Sequence, residues 1–150
     1  MPLLLCIDAS VFVAACCRHE PGHATSRALL AALRDHDVPL IEPAILPVEV
    51  AAALGRTGSN PAMAQEFAEA ILALPHLTLV LVDEHLVRRA IAMAIQHKLR
   101  GADALYATVS THYGAHLITL DTEQLKRAPA GVAACKPDAG LALLSQTSSK

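Results

Sequence analysis

Four acidic side chains stand in apolar surroundings, at positions from which they could share one site. Only 14 of the 150 residues are Asp or Glu. Two carboxylates about 4 Å apart repel each other by roughly 4 kcal/mol at an effective dielectric near 20, so a cluster of them must protonate or bind a cation. Carboxylate oxygens without His or Cys favour a hard ion such as Mg²⁺ or Mn²⁺. The four acids are Asp8 in LLLCIDAS, Glu49 in ILPVEVAAAL, Asp103 in LRGADALYAT and Asp121 in HLITLDTEQL.

Each acid taken alone has a simpler explanation. Asp8, Asp103 and Asp121 could each cap a following helix, because an Asp side chain accepts from the unpaired N–H groups of a first turn. Gln124 could complete a capping box with Asp121. Glu49 could be an ordinary exposed glutamate on a helix. The sequence alone leaves these interpretations open beside that of a shared site.

The elements that must position these acids alternate along the chain. Short apolar runs predict strands, and segments with helical spacing of apolar residues predict helices between them. The run at 77–82 is the clearest strand and is typical of strands buried on both faces. The predicted strands span 3–7, 38–41, 77–82, 116–120 and 132–135, and the predicted helices begin at Ser10, His23, Leu46, Asn60, Glu84, Asp103, Asp121 and Asp138.

Strands that alternate with helices predict a parallel sheet covered on both faces. We expect one domain over residues 1–145 and a frayed polar tail over 146–150. In such folds, ligands bind at the carboxyl ends of the strands, near the point where the strand order reverses. Asp8 and Asp121 each directly follow a predicted strand, so the sequence favours a site at that edge.

Composition restricts the function classes. A hydrophobic content of 53% and a mean hydropathy of +0.40 exclude general disorder. A net charge of −2 provides no general basic surface, so nucleic-acid binding must depend on local Arg and Lys residues. The four cysteines form no C-x-x-C pair and are interpreted as reduced, mostly buried thiols. The chain has no membrane-length apolar run and no basic segment before its apolar start, so we expect a cytoplasmic protein without a membrane partner.

Four motifs in order give the chain a resemblance to PIN-domain ribonucleases, of the kind that form the toxin half of VapBC toxin–antitoxin pairs. The resemblance covers nearly the whole chain. Leu125 stands where the family often has an aromatic residue, a difference that we expect to affect packing and not chemistry. The motifs are Asp8 with Ser10 two positions on, Glu49 in PVEVAAAL, the Asp103-Ala104 pair, and Thr119-x-Asp121.

The resemblance implies an α/β class, three-layer α/β/α fold with a five-stranded, mainly parallel sheet. It also implies a metal-dependent endoribonuclease that cleaves RNA phosphodiester bonds with an activated water, leaving a 5′-phosphate and a 3′-hydroxyl. One or two Mg²⁺ or Mn²⁺ ions would be held by Asp8, Glu49, Asp103 and Asp121, directly or through water. Ser10 and Thr119 would orient carboxylates or water. Arg100, Lys126 and Arg127 are candidates for contacts with RNA phosphates, although solvated surface charge explains each of them as well.

A toxin would have two protein partners. One is a cognate antitoxin that blocks the acidic pocket, for which an Arg side chain is suited. The other is a second copy of the chain in a homodimer. Apolar residues around Val11–Val13 or Phe67–Leu74 could form the dimer surface, although core packing explains them equally well.

Three other functions compete with this interpretation. A receiver-like phosphoacceptor domain would use Asp8, Asp83, Thr119 and Lys136-Pro137, but strand one ends in a single Asp where such domains have an acidic pair. A non-catalytic PIN-type RNA-binding subunit is disfavoured by the intact acidic quartet. The string HEPGH at 19–23 matches the zinc-protease pattern, but Pro21 and Gly22 break the helix that this pattern needs.

Overall fold

A five-stranded sheet forms the centre of the molecule. The computed structural model of the chain describes residues 2–147. All strand pairings are parallel, which confirms the predicted sheet. The strands are β1 (Leu5–Ile7), β2 (Leu40–Pro43), β3 (Leu77–Val80), β4 (His116–Ile118) and β5 (Ala134–Cys135), in the order β3-β2-β1-β4-β5.

The strand order reverses at β1. The chain adds β2 and then β3 on one side of β1, and it then returns to add β4 and β5 on the other side. In an open parallel sheet, this arrangement leaves a crevice outside the carboxyl ends of the two strands at the reversal. The crevice therefore lies beyond the ends of β1 and β4.

Helices flank the sheet on both faces. Local sequence explains several of their starts: Pro47 and Pro61 stand in first turns, where proline is tolerated, and Asn60 caps a helix by accepting from the N–H groups of Ala62 and Met63. The helices of the described residues are α1 (Ala9–Cys16), α2 (His23–Asp35), α3 (Leu46–Arg56), α4 (Pro61–Leu72), α5 (Glu84–His97), α6 (Gly101–Tyr113), α7 (Thr122–Arg127) and α8 (Pro137–Thr147).

Helix α6 is the element that connects the sheet to the outer layer. It packs directly on β1, β2 and β4, and α5 packs on its other side. Its Tyr106 and Val109 belong to the main core, whereas its Ala104 and Ala107 pack in a smaller cluster with Ala90 of α5. Because α6 is buried on both sides, its position is fixed, and so is that of any side chain in its first turn.

Helix α2 packs against α1 and α8, and all three contribute residues to the core. Val11 and Phe12 of α1 are buried in it, so the suggestion that residues 11–13 form a dimer surface is wrong for these two. In the alternative segment, Ile71 is also buried, whereas Leu72 is exposed.

Three sequence-based element predictions need correction. Strand β3 is only partly buried, because it lies at the edge of the sheet and pairs with β2 alone. Helix α6 begins at Gly101, two residues before the predicted start at Asp103. Helix α8 continues through Thr147, so residues 146–147 are helical and not a frayed tail; residues 148–150 lie outside the described residues.

The four cysteines are free thiols. Only Cys6 is buried, so the prediction that most of them are buried is wrong for the other three, which are partly exposed. Among residues 2–147, no helix has the length and apolar character needed to cross a bilayer.

Candidate active site

A cleft of about 530 Å³ opens at the carboxyl ends of β1 and β4, and all four predicted acids line it. Asp8 directly follows β1, and Asp121 lies three residues after β4. Glu49 and Asp103 lie in the first turns of α3 and α6. Two strand ends and two helix starts thus bring together residues that are far apart in sequence. We call this cavity the acidic cleft.

A chain of hydrogen bonds fixes Asp8. Its Oδ2 accepts from the backbone N–H of Ser10 at 3.2 Å and from the hydroxyl of Thr119 at 3.0 Å. Thr119 Oγ1 accepts in turn from the N–H of Asp121 at 3.0 Å, and Ser10 Oγ accepts from the N–H of Leu120 at 3.1 Å. The two predicted hydroxyl residues therefore connect the end of β1 to the segment after β4 and orient one carboxylate.

Tyr106 fixes Glu49. Its hydroxyl donates to Glu49 Oε1 at 2.7 Å, and its ring is fully buried in α6. Tyr106 is not among the site residues predicted from the sequence. A signal was present, because Tyr106 follows Asp103 by three residues and thus lies on the same face of the helix.

Arg100 bridges the other two acids. Its Nε donates to Asp103 Oδ2 at 3.1 Å, and its Nη2 donates to Asp121 Oδ2. The pKa of Arg100 is raised above its usual value, mainly by the hydrogen bond with Asp103. The side chain is 74% exposed, so this guanidinium is a solvent-accessible counter-charge for two carboxylates.

The two other predicted phosphate contacts lie on α7, outside the acidic cleft. Lys126 and Arg127 both face Glu123, at 4.0 Å and 2.9 Å, and Arg127 also donates to the carbonyl of Lys98 at 2.8 Å. Arg127 lines a neighbouring depression that also includes Asp121. Both cations therefore already have acidic partners.

Burial dominates the titration of the cleft acids. It raises the pKa of Asp8, Glu49 and Asp103 above their ordinary values. The negative charge of Asp121 adds to this effect at Asp8 and Asp103, whereas Arg100 opposes it at Asp103. The ionised form of each acid is therefore disfavoured in the cleft, and a bound cation would favour it again.

The carboxylate oxygens of the cleft are the donor type that a hard divalent ion prefers, but they do not surround a single point. Among residues 2–147, no three His, Cys, Asp or Glu side chains form a ready-made metal site. Asp8, Glu49 and Asp103 each use one oxygen in the bonds above and leave the other without a partner among the described residues. These free oxygens could bind an ion, which would compete with Arg100 for Asp103 and Asp121.

Glu42 in β2 is a buried acid near the site that was not predicted from the sequence. It is fully buried; its Oε1 accepts from the N–H of Ile7 at 2.6 Å, and Cys6 Sγ lies 3.6 Å from Oε2. Burial raises the pKa of Glu42 well above its usual value. The sequence did contain a signal, since Glu42 interrupts an apolar run, but the predicted strand ended one residue before it.

The capping explanations hold for two of the three aspartates. Asp8 caps α1, and Asp121 caps α7 by accepting from the N–H groups of Glu123 and Gln124. Asp103 caps no helix, because its side chain pairs with Arg100. The Gln124 amide has no partner among the described residues, so no capping box forms. Capping and lining the cleft are thus compatible roles for Asp8 and Asp121.

The HEPGH segment does not form a continuous helix, and part of it lines the acidic cleft. Helix α1 ends at Cys16 and α2 begins at His23, so the helical geometry of a zinc protease is absent from this segment. Glu20 and Pro21 line the cleft instead. Asp83, which the receiver interpretation needs near Asp8, caps α5 and is not among the residues of the cleft.

The family model for the PIN domain matches residues 5–130. The chain belongs to the PIN family. This membership confirms the predicted family and counts against the receiver-like alternative. No curated protein matches the sequence.

Solved structures share this PIN fold. PAE2754 from Pyrobaculum aerophilum has a TM-score of 0.73 and 20% identity over 96% of this chain and 90% of that chain. VapC20 from Mycobacterium tuberculosis, described as a toxin that cleaves the sarcin–ricin loop, has a TM-score of 0.70 and 18% identity over 85% and 98%. VapBC2 from Rickettsia felis, bound to a DNA fragment of its promoter, has a TM-score of 0.67 and 14% identity over 89% and 98%. At these identities, the similarity establishes a common fold.

Proposed function

We propose that this PIN domain is a divalent-metal-dependent endoribonuclease and the toxin of a toxin–antitoxin pair. One observation carries the proposal: carboxylates from four separate segments line a single cleft at the reversal point of the sheet. A purely structural role would not require four acids in one solvent-accessible cavity, because their repulsion costs stability.

In the proposed reaction, Asp8, Glu49, Asp103 and Asp121 hold one or two Mg²⁺ or Mn²⁺ ions, directly or through water. When bound, the metal supplies activation of a water molecule and neutralises negative charge on the reacting phosphate. The protein itself orients the carboxylates: Thr119 and the N–H of Ser10 fix Asp8, and Tyr106 fixes Glu49. These bonds hold Asp8 and Glu49 through one oxygen each and leave the second oxygen of each side chain for an ion.

The neighbours support the substrate and the antitoxin partner. VapC20 cleaves the sarcin–ricin loop by its description, which favours RNA as the substrate class here. A further neighbour is a toxin–antitoxin complex from Klebsiella pneumoniae, with a TM-score of 0.63 and 16% identity. We propose that a cognate antitoxin inserts an Arg into the acidic cleft, where Arg100 already shows that a guanidinium can bind two of the carboxylates. We also propose that this protein forms a homodimer and acts in the cytoplasm.

The direct test is the substitution Asp8→Asn. Asn keeps the helix cap, so the fold should persist, but it removes one carboxylate. We expect Mn²⁺-dependent cleavage of end-labelled RNA to fall by more than about 100-fold, since even losing an outer partner of a metal ligand costs about 10- to 100-fold. Asp35→Asn, an exposed position at the end of α2, is the matched control and should cleave like the wild type. Undiminished cleavage by purified Asp8→Asn protein would refute the assignment.

A further inference from the structure

Helix α3 presents a second functional side chain to the acidic cleft. Glu49, Ala53 and Arg56 stand at positions i, i+4 and i+7 of this helix, and all three line the cavity. At 1.5 Å per residue, the Cα atoms of Glu49 and Arg56 are separated by about 10 Å along the helix axis. Helical side chains lean toward the N-terminus, so Arg56 extends from the last turn toward the carboxylates.

Arg56 differs from the other cations near the site because its charge is not compensated. Of the two cations that line the cleft, Arg100 is bound to Asp103 and Asp121. Arg56 is exposed and makes no hydrogen bond or ion pair with any described residue. Lys126 and Arg127, the other candidates from sequence, both face Glu123 outside the cleft.

A polyanionic substrate needs such a group here. The cleft is lined by several carboxylates, which repel a phosphate backbone, and the net charge of −2 provides no general attraction. A guanidinium suits phosphate because its planar N–H groups can bind two phosphate oxygens at once. The ordinary alternative is that Arg56 only complements the negative end of the α3 dipole.

We propose that Arg56 binds a backbone phosphate of the RNA strand beside the phosphate that is cleaved. The inference rests on the proposed ribonuclease function and names a substrate-positioning contact for it. The carboxylates would face the cleaved phosphate, and the Cα of Arg56 lies about 10 Å along α3 from that of Glu49, so we assign Arg56 to an adjacent phosphate of the same strand. The strand would then cross the cleft from the acidic quartet toward the C-terminal end of α3.

The binding experiment uses Asp8→Asn protein, so that RNA stays intact, and a labelled short single-stranded RNA of mixed sequence. Adding Arg56→Gln should weaken binding about five- to tenfold and reduce the slope of log Kd against log salt by about 0.7, the value for one phosphate contact on a single strand. Adding Arg56→Lys should keep most of the salt slope with intermediate affinity, because the charge remains while the bidentate geometry is lost.

Arg34→Gln is the matched control. Arg34 is likewise an exposed arginine in the last turn of a helix, α2, and it lines a different pocket with Leu40 and Pro75. Both Gln variants remove the same charge from a helix C-terminus, so both should have nearly the same melting temperature. In the otherwise wild-type enzyme, Arg56→Gln should raise KM with little change in kcat, as expected for a lost binding contact.

The outcomes separate this inference from the proposed function. Equal Kd values and salt slopes for the Arg56→Gln and Arg34→Gln proteins would overturn the inference, as would a fall in kcat without a change in KM. Absence of any RNA binding would overturn it too. If the wild type binds RNA through Arg56 but does not cleave it with Mn²⁺, the catalytic proposal fails while the phosphate contact stands.

Discussion

Glu42 is a buried carboxyl group whose titration should make the stability of the fold depend on pH. It replaces a backbone carbonyl as the acceptor for the N–H of Ile7, directly before Asp8. Burial raises its pKa in the folded protein above the unfolded value. Between these two pKa values, the folded state binds more protons than the unfolded state, so the free energy of unfolding falls as the pH rises. The contribution of Glu42 is full below the unfolded pKa and is lost as the pH rises through the folded pKa.

The substitution Glu42→Gln tests this at the scale of a single residue. The amide oxygen can still accept from Ile7, but the side chain no longer ionises. Because ionising this buried carboxyl costs free energy in the folded state alone, we expect the variant to be more stable than the wild type at pH 8, with a smaller difference near pH 4. Urea unfolding across this pH range measures the difference.

The matched variant is Glu42→Ala, which leaves the N–H of Ile7 without an acceptor and opens a cavity. It should be less stable than Glu42→Gln by about 2–4 kcal/mol at every pH, because neither variant ionises at position 42. Burial also raises the pKa of Asp8, Glu49 and Asp103, so these acids add to the pH dependence of every variant. The prediction therefore concerns the difference in the free energy of unfolding between variants. Wild-type and Glu42→Gln curves that run parallel with pH would show that Glu42 does not titrate as proposed.

At the scale of elements, α5 has an exposed apolar stripe. Val87, Ile91 and Ile95 follow one another at intervals of four residues and are 39%, 55% and 75% exposed. The opposite face of the helix is occupied, because Leu86 and Ala90 are buried. A continuous apolar stripe on a solvent-facing helix is typical of an interface between proteins. This stripe suits the proposed homodimer better than the segment 11–13, most of which lies in the core.

We expect the protein to be a dimer at micromolar concentrations and the double substitution Ile91→Glu/Ile95→Glu to produce monomers. Buried charge without a partner is costly enough to separate the subunits. Light scattering after size-exclusion chromatography measures the mass. The control is Gln96→Glu, which adds negative charge beside the stripe at an exposed position and should leave the mass unchanged. A monomeric wild type would contradict the prediction.

At the scale of the whole molecule, a metal that binds only the folded state must stabilise it. An ion at 100 times its Kd adds about 2.7 kcal/mol, which for a domain of this size raises the melting temperature by roughly 5–10 °C. We therefore expect Mn²⁺ to shift the wild type by this amount near neutral pH. The shift should shrink as the pH falls, because protonated carboxyls bind no metal and burial raises the pKa values of Asp8, Glu49 and Asp103.

Calorimetric melting with Mn²⁺, and with Ca²⁺ or EDTA for comparison, measures this shift. The substitution Asp8→Asn should abolish most of it, whereas Asp35→Asn should preserve it. An equal shift in both variants would place the ion elsewhere on the surface.

The order of apolar runs and helical segments was enough to predict the parallel α/β architecture. The spacing of apolar residues is a property of the local sequence, and each strand and helix lies within a few residues of its predicted bounds. The same logic favoured a site at the carboxyl ends of the strands from Asp8 and Asp121, and the acidic cleft is lined by these two residues together with Glu49 and Asp103. Strand β3 shows the limit of local reasoning, because an apolar run looks the same in sequence whether it lies at the centre or at the edge of a sheet.

Only the tertiary structure determines which side chains contact one another across the fold. No spacing in the sequence links Arg100 to Asp121, Tyr106 to Glu49, or Glu42 to Ile7, and these contacts depend on how α6 and β2 dock beside β1. Whether an arginine is compensated or free is likewise a property of its neighbours in space. The motifs therefore predicted the family and the candidate acids, whereas long-range packing determined which side chains hold those carboxylates, because such contacts join residues that are far apart in sequence.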